Sequence, residues 1–358
     1  MGFADTIDRA GIIASMDNVL TFQALFFRHF APPIEARFGV AGAEAVSAAL
    51  RRYGRWRGAR MAERHRAKGW NLSAESLVLG WDFGDWHLFG ELGRGSAVGN
   101  RRVAHVTTVD TPMWTYLRAQ GRPELARRYY TSVYPAIAES YGAQVELPAG
   151  GPDLATPWIV TWTTPAQPAG LQRELRSGLL DNLPEALEVL RLTSQANGAL
   201  YYFLAHEATQ RFDMAGEALM RESIRNLALE RAGAQLERHR AMGLPRDLVT
   251  LQNHWDGDFA SLWVFEPGIL TPGTWHQDCV RCPYFEVWET FGRRGLELGY
   301  IYDYELHPTL YRAYHPDAVV QFEAIKTRGD AACKFRVSIP TLQELGEPRF
   351  AGYTGGDV

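Results

Sequence analysis

The chain has 358 residues, 46% of them apolar and 12% aromatic, with a net charge of −4. This composition belongs to a soluble globular protein and excludes a disordered one, and the length admits two domains of ordinary size. No basic run accompanies the mildly acidic balance, so nucleic acid is not expected as a partner.

The first twenty residues, MGFADTIDRAGIIASMDNVL, lack the positive start and long apolar core of a signal peptide. A first helix is predicted around Val19–Phe30 and a longer one over Ala41–Lys68, where apolar residues recur at helical spacing and Gly69 marks the stop. Pro112 opens another helical stretch, since proline suits a first turn. Gln144–Leu147 and Trp158–Thr163 read as a hairpin across a Pro/Gly-rich loop, and Pro165–Thr193 reads as a linker, helical in part. The same order then returns. Helices are predicted over Ala199–Arg211 and Ala215–Met242, ended by Gly243, and a short strand over Leu262–Phe265. A helix follows Pro283. A hairpin closes the series, with Val319–Lys326 and Cys333–Ile339 alternating in period two around Arg328-Gly329-Asp330. The tail after Pro340 is Gly-rich and expected to fray.

The recurrence extends to the residues. At a shift of about 174 positions, Phe38–Gly69 lies on Phe212–Gly243 without a gap, and Glu63-Arg64-His65-Arg66-Ala67 matches Glu237-Arg238-His239-Arg240-Ala241 identically. Trp81-Asp82 falls on Trp255-Asp256, Thr111-Pro112 on Cys282-Pro283, Gly121-Arg122 on Gly292-Arg293, and Pro135 on Pro308. The expected fold is α+β: a tandem duplication of a helices-then-β-hairpin module, with the copies related by a pseudo-two-fold. The expected boundaries are residues 1–165 for a degenerate first copy and 166–198 for the linker. The second copy is expected over 199–340 and the tail over 341–358.

Residues that recur in both copies read first as structural; Arg57 and Arg231, His65 and His239, Trp81 and Trp255, and His105 and His276 are of this kind. The mismatches carry more chemistry. Cys282 faces Thr111, Cys333 faces Trp158, Asp303 faces Tyr130, and His307 faces Tyr134. Asp303 and His307 are i and i+4 on a predicted helix and project from one face, an arrangement in which the carboxylate orients the imidazole as an acid/base. The bland readings are a surface ion pair and small buried cysteines. His276, Cys279 and Cys282 form H-x-x-C-x-x-C, with Cys333 a conceivable fourth zinc ligand, yet no second closely spaced ligand pair accompanies them. The three cysteines cannot make a disulfide framework, and no run of about 18 apolar residues suited to a membrane was found in the sequence. A bacterial, cytoplasmic protein without membrane partner is expected, and a homodimer is open.

Cys282-Pro283-Tyr284, the following FEVWETFGRRGLELGYIYDYEL and the closing FEAIKTRGDAACKFRV together resemble the L-2-amino-thiazoline-4-carboxylic acid hydrolase family. The resemblance covers about Phe212 to Pro340. Departures are Ile301-Tyr302, where the family often has a second cysteine, and Ala324-Ile325, where its hairpin has arginine. The resemblance implies hydrolytic opening of a small nitrogen-containing ring, and the hydrolase is expected to work without cofactor or metal. The chemistry expected is a Cys282 nucleophile at a helix N-terminus, which lowers a thiol pKa, with His307, oriented by Asp303, as the acid/base and Cys333 beside them. Lys326, Thr327, Asp330 and His239 are expected to hold the polar groups of a heterocyclic substrate, and Trp255 and Tyr284 to supply an aromatic wall. The alternatives are a zinc-dependent hydrolase using the Cys/His cluster and a non-catalytic small-molecule-binding protein.

Overall fold

The computed structural model describes residues 9–84, 95–108, 111–149, 158–175, 182–256, 262–345 and 349–351. The chain divides into two compact units, Arg9–Glu207 and the part from Ala208 onward. The boundary falls inside a helix, α5 (Leu183–Ala241), rather than in a loop. The segment expected as a linker, 166–198, is therefore helical from Leu183 on.

The first unit opens with α1 (Arg9–Ala67), where two separate helices were expected. The two merge across a kink at Gly39, whose φ of 58° and ψ of −132° suit glycine. The early half of α1 buries Leu20, Phe22, Phe26, Phe27 and Phe30. Contrary to the expectation from the sequence, it also contains a window apolar and long enough, by composition, to cross a membrane; just over half of that window is buried in this fold. α2 (Ala74–Leu79), α3 (Pro112–Ala119) and α4 (Pro123–Tyr141) follow. The five-stranded antiparallel sheet of this unit comprises β1 (Gly95–Gly99), β2 (Val103–Thr108), β3 (Gln144–Glu146), β4 (Trp158–Thr163) and β5 (Arg173–Glu174), in the order β3-β4-β2-β1-β5.

The second unit repeats the order of elements. α5 is followed by α6 (Leu248–Asn253), then β6 (Val264–Phe265), β7 (Gly268–Thr271) and β8 (Thr274–Arg281). Next come α7 (Pro283–Thr290), α8 (Gly292–Tyr314), β9 (Val319–Ala324), a 3-10 turn at Lys326–Arg328, β10 (Cys333–Ser338) and β11 (Arg349–Ala351). The sheet runs β11-β7-β8-β10-β9, with β6 also pairing with β8. β8 was missed in the sequence because its alternation mixes His276 and Asp278 with Trp275, Gln277 and Cys279. α8 holds Leu298, Ile301, Tyr302, Leu306, Leu310 and Tyr311 on its buried side, at the three- and four-residue spacing of a helix face. It continues through Pro308 to Tyr314.

α5 kinks as α1 does, but with Asp213 (φ 48°, ψ −127°) where α1 has Gly39. Immediately after, a Cβ on Gly216 would lie 2.2 Å from the Ala208 carbonyl oxygen, so the chain doubles back too tightly there for a side chain. An aspartate in this backbone conformation is strained by about 1–3 kcal/mol. Asp213→Gly is expected to stabilise the protein by about 1 kcal/mol in denaturant unfolding; a loss of stability would show that the carboxylate compensates the strain.

One buried arrangement occurs in both units. His65 contacts the Tyr141 hydroxyl through Nδ1 at 2.7 Å and the Gly80 carbonyl through Nε2 at 3.0 Å. His239 contacts Tyr314 at 2.9 Å and the His254 carbonyl at 3.2 Å in the same way. A carbonyl only accepts, so Nε2 donates and Nδ1 accepts a hydrogen bond from the tyrosine hydroxyl, the pattern of a neutral ring. Burial lowers the His65 pKa from 6.5 to about 4 and lowers that of His239. The unfolded chain therefore takes up protons near pH 6.5 that the folded chain refuses. Stability is expected to fall as the pH drops from about 6.5 towards 4. A flat urea midpoint across that range would refute this assignment.

Candidate active site

Cys282 is the N-cap of α7, in extended backbone (φ −138°, ψ 119°), with Pro283 in the first turn. Its sulfur accepts the Phe285 N–H at 3.5 Å and a hydrogen bond from the Trp263 side chain. Trp263 was not anticipated; a tryptophan in an unremarkable SLWVF stretch carries no local signal. Tyr284 packs against Trp263, Trp288 and Tyr302 at centroid distances of 5.5, 5.7 and 6.1 Å.

β8 and β10 bring two more thiols to the same place. Cys279 lies directly opposite Cys333 in the antiparallel register. Both are buried, and all three cysteines are free thiols. The Cys279 thiol donates to the Arg281 carbonyl at 3.2 Å, and the Lys326 N–H donates to Cys333 Sγ at 3.4 Å. α8 supplies the acid: Asp303 acts electrostatically on all three thiols. His307, one turn further on, places Nε2 3.7 Å from an Asp303 carboxylate oxygen, an ion-pair distance too long for a direct hydrogen bond. Its ring rests on Phe335 at 4.4 Å, and its Nδ1 is buried without a partner.

The electrostatics correct one expectation. The N-cap position does supply donors to Cys282, but burial and the facing Asp303 outweigh them and push the thiol up to about 12. Burial likewise raises Cys333, Cys279 and Asp303, with His307 pulling Asp303 part of the way back. At neutral pH the resting site thus holds a protonated thiol beside a carboxyl group more basic than usual. The sulfur needs a base to become a nucleophile, and the carboxyl group that acts on it electrostatically is Asp303.

The other expected residues divide. Thr327 is 7% exposed in the 3-10 turn, with an unpartnered hydroxyl. Lys326 reaches back to the Ala331 carbonyl at 2.9 Å and over the Phe285 ring at 4.8 Å. Asp330 accepts the Ile325 N–H at 2.8 Å, so both hold the hairpin turn. Trp255 lies 6.0 Å from Tyr311 and covers the Arg231 guanidinium. His239 has both ring nitrogens occupied in its buried pair, which leaves no atom for a substrate. His276 sits on β8 three residues from Cys279 and so faces the opposite side of the sheet, where Arg336 is its cross-strand neighbour. The H-x-x-C-x-x-C run therefore cannot close around one zinc ion. Among the described residues no group of three or more His, Cys, Asp or Glu side chains is placed to hold a metal.

The first unit holds the residues that align with these positions in the sequence. Thr111 is likewise an N-cap, accepting the Trp114 N–H at 3.0 Å, and it hydrogen-bonds the Tyr130 hydroxyl at 2.5 Å. Trp158 packs on Tyr130 and Tyr134 at 5.0 and 6.3 Å. All four counterparts meet there too, as a filled aromatic and hydroxyl core.

The second unit is thus an α+β domain with thiols and a carboxyl group grouped between a sheet and a long helix. Residues 194–337 match the family model of L-2-amino-thiazoline-4-carboxylic acid hydrolase, the family that the Cys282-Pro283 segment and closing hairpin resemble. The match falls in the second half of the chain. No curated protein and no solved structure matches the chain.

Proposed function

We propose that the second unit is a hydrolase that opens a small nitrogen-containing ring at a C–N bond of a cyclic amide, lactam or amidine. The observation that supports this reading is the grouping of Cys282 with Asp303 and His307 in a domain similar to a hydrolase family. Asp303 takes the Cys282 proton as the sulfur attacks the ring carbon, and a C–S bond forms. The C–N bond then breaks, and the departing nitrogen receives the proton back from Asp303, with His307 buffering the carboxyl charge. Water, deprotonated by the same carboxylate, cleaves the thioester or its imidate analogue and regenerates the thiol. The sum is addition of one water to the ring.

The element order and side-chain pairs repeated between the units support descent of the chain from a duplicated module, with the first copy retaining the fold and losing the site. Mass spectrometry of reaction mixtures tests the function. With L-2-amino-thiazoline-4-carboxylate and a panel of lactams and cyclic amidines, the expected product is one water heavier than a substrate and is absent with Cys282→Ala. Turnover that survives in Cys282→Ala removes the thiol from the mechanism. No product from any ring would argue for a protein that binds a small molecule without converting it.

A further inference from the structure

α8 opens against the usual rule. A helix N-terminus carries partial positive charge and favours acidic residues in its first turn. The corresponding α4 complies, with Pro123 and Glu124. α8, at 23 residues, has no acidic residue in its first turn and no side-chain cap; Arg293 and Arg294 stand there instead. Both reach forward to Glu297, at 2.8 and 3.1 Å, through partly exposed contacts of the kind that contribute little. Arg294 also donates to Thr209 at 2.6 Å, while its Nε is buried with no partner.

These arginines form one side of a groove of about 530 Å³. Arg221 and Glu217 of α5 and the turn residues Thr327 and Arg328 complete it. Four arginines and two glutamates line it, which makes it net positive on a chain whose charge is −4. Arg221 is held by Glu217 and Glu305 at 2.8 Å each. Arg328 is exposed and lies over the Tyr300 ring at 4.9 Å, with no carboxylate partner among the described residues. None of Cys282, Cys333, Asp303 and His307 lines the groove.

We propose that this groove is a second binding site, for an oxyanion: the phosphate or carboxylate group of a small ligand, held chiefly by Arg328 and Arg294. A guanidinium fork matches either group in two parallel hydrogen bonds. An anion here also offsets the crowded positive charge and caps the bare start of α8. The inference goes beyond the ring-opening reading and uses none of its residues, so either can fail alone.

Titration calorimetry of the full chain at low salt, without ring substrate, tests it. Inorganic phosphate and succinate are the two probes, and their relative affinities show which oxyanion the groove suits. Saturable one-to-one binding of at least one probe is expected, weakened about tenfold or more by Arg328→Gln and by Arg294→Gln. Arg328 is exposed, so its variant folds whatever the fate of Arg294→Gln. Binding of neither probe, or binding that both variants leave unchanged, overturns the site.

Discussion

Asp303→Asn is expected to lower turnover of the ring substrate by about 10²–10⁴-fold, the usual worth of a positioned general base, while raising the thermal midpoint. The two effects have one cause. Burial lifts the Asp303 pKa, with His307 only partly compensating, so the folded state resists the charge that the reaction needs. An acid whose folded pKa is raised binds its proton more tightly folded than unfolded. Its ionisation therefore costs stability as the pH rises through the folded value, and asparagine removes that cost. A structural aspartate held by His307 would behave oppositely, losing stability on substitution with activity falling only in proportion to unfolding. The pH profile gives a second check. The acidic limb of kcat/KM belongs above the ordinary carboxylate range and disappears in Asp303→Asn. Full activity in the variant would return the base role to His307 or to water.

Asp256→Ala is expected to destabilise the second unit by about 3–5 kcal/mol, the penalty for leaving a buried charge unpaired. Arg231 is 5% exposed and donates to both Asp256 oxygens, at 2.9 and 2.8 Å. Burial alone disfavours the guanidinium charge, but Asp256 outweighs it and raises the Arg231 pKa. The arginine lies beneath Trp255 at 5.5 Å, so loss of the carboxylate also loosens an aromatic layer that reaches Tyr311 and, through it, His307. The double variant Arg231→Met with Asp256→Ala should recover much of the loss, because no charge is then stranded. A double variant as unstable as Asp256→Ala alone would mean that the packing of the guanidinium, rather than its charge, holds the layer. Arg57 and Asp82 offer an internal comparison, with contacts at 2.7 and 3.3 Å and cation–π neighbours in Tyr53, Trp81 and Phe83.

Several elements were legible because local physics decides them. Pro112 and Pro283 do open helices, Gly69 and Gly243 do follow helix ends in the left-handed region, and the hairpin does turn at Gly329 with φ 98°. The kinks were half legible: Gly39 invites a break, but Asp213 gives no such signal, because only the tight return of the chain forces an aspartate into a glycine conformation. β8 was illegible as a strand. Its inward face mixes Trp275 and Cys279 with Gln277, which is tolerated inside because the Trp275 indole donates to it at 2.9 Å.

Taken by itself, the chain's order of residues determined that a pattern recurs and that Cys282, Cys333, Asp303 and His307 have no chemical equivalents in the earlier half. Spacing in a helix is rigid, so Asp303 and His307 could be placed on one face without coordinates. Tertiary structure alone decided the rest. Strand register put Cys279 opposite Cys333 and turned His276 to the far side of the sheet, which no count of intervening residues specifies. Burial reversed the expected charge state of Cys282, since desolvation is a property of everything packed around the sulfur. His239 became a core residue for the same reason: its partners, Tyr314 and the His254 carbonyl, are distant in sequence and meet it only in the folded chain.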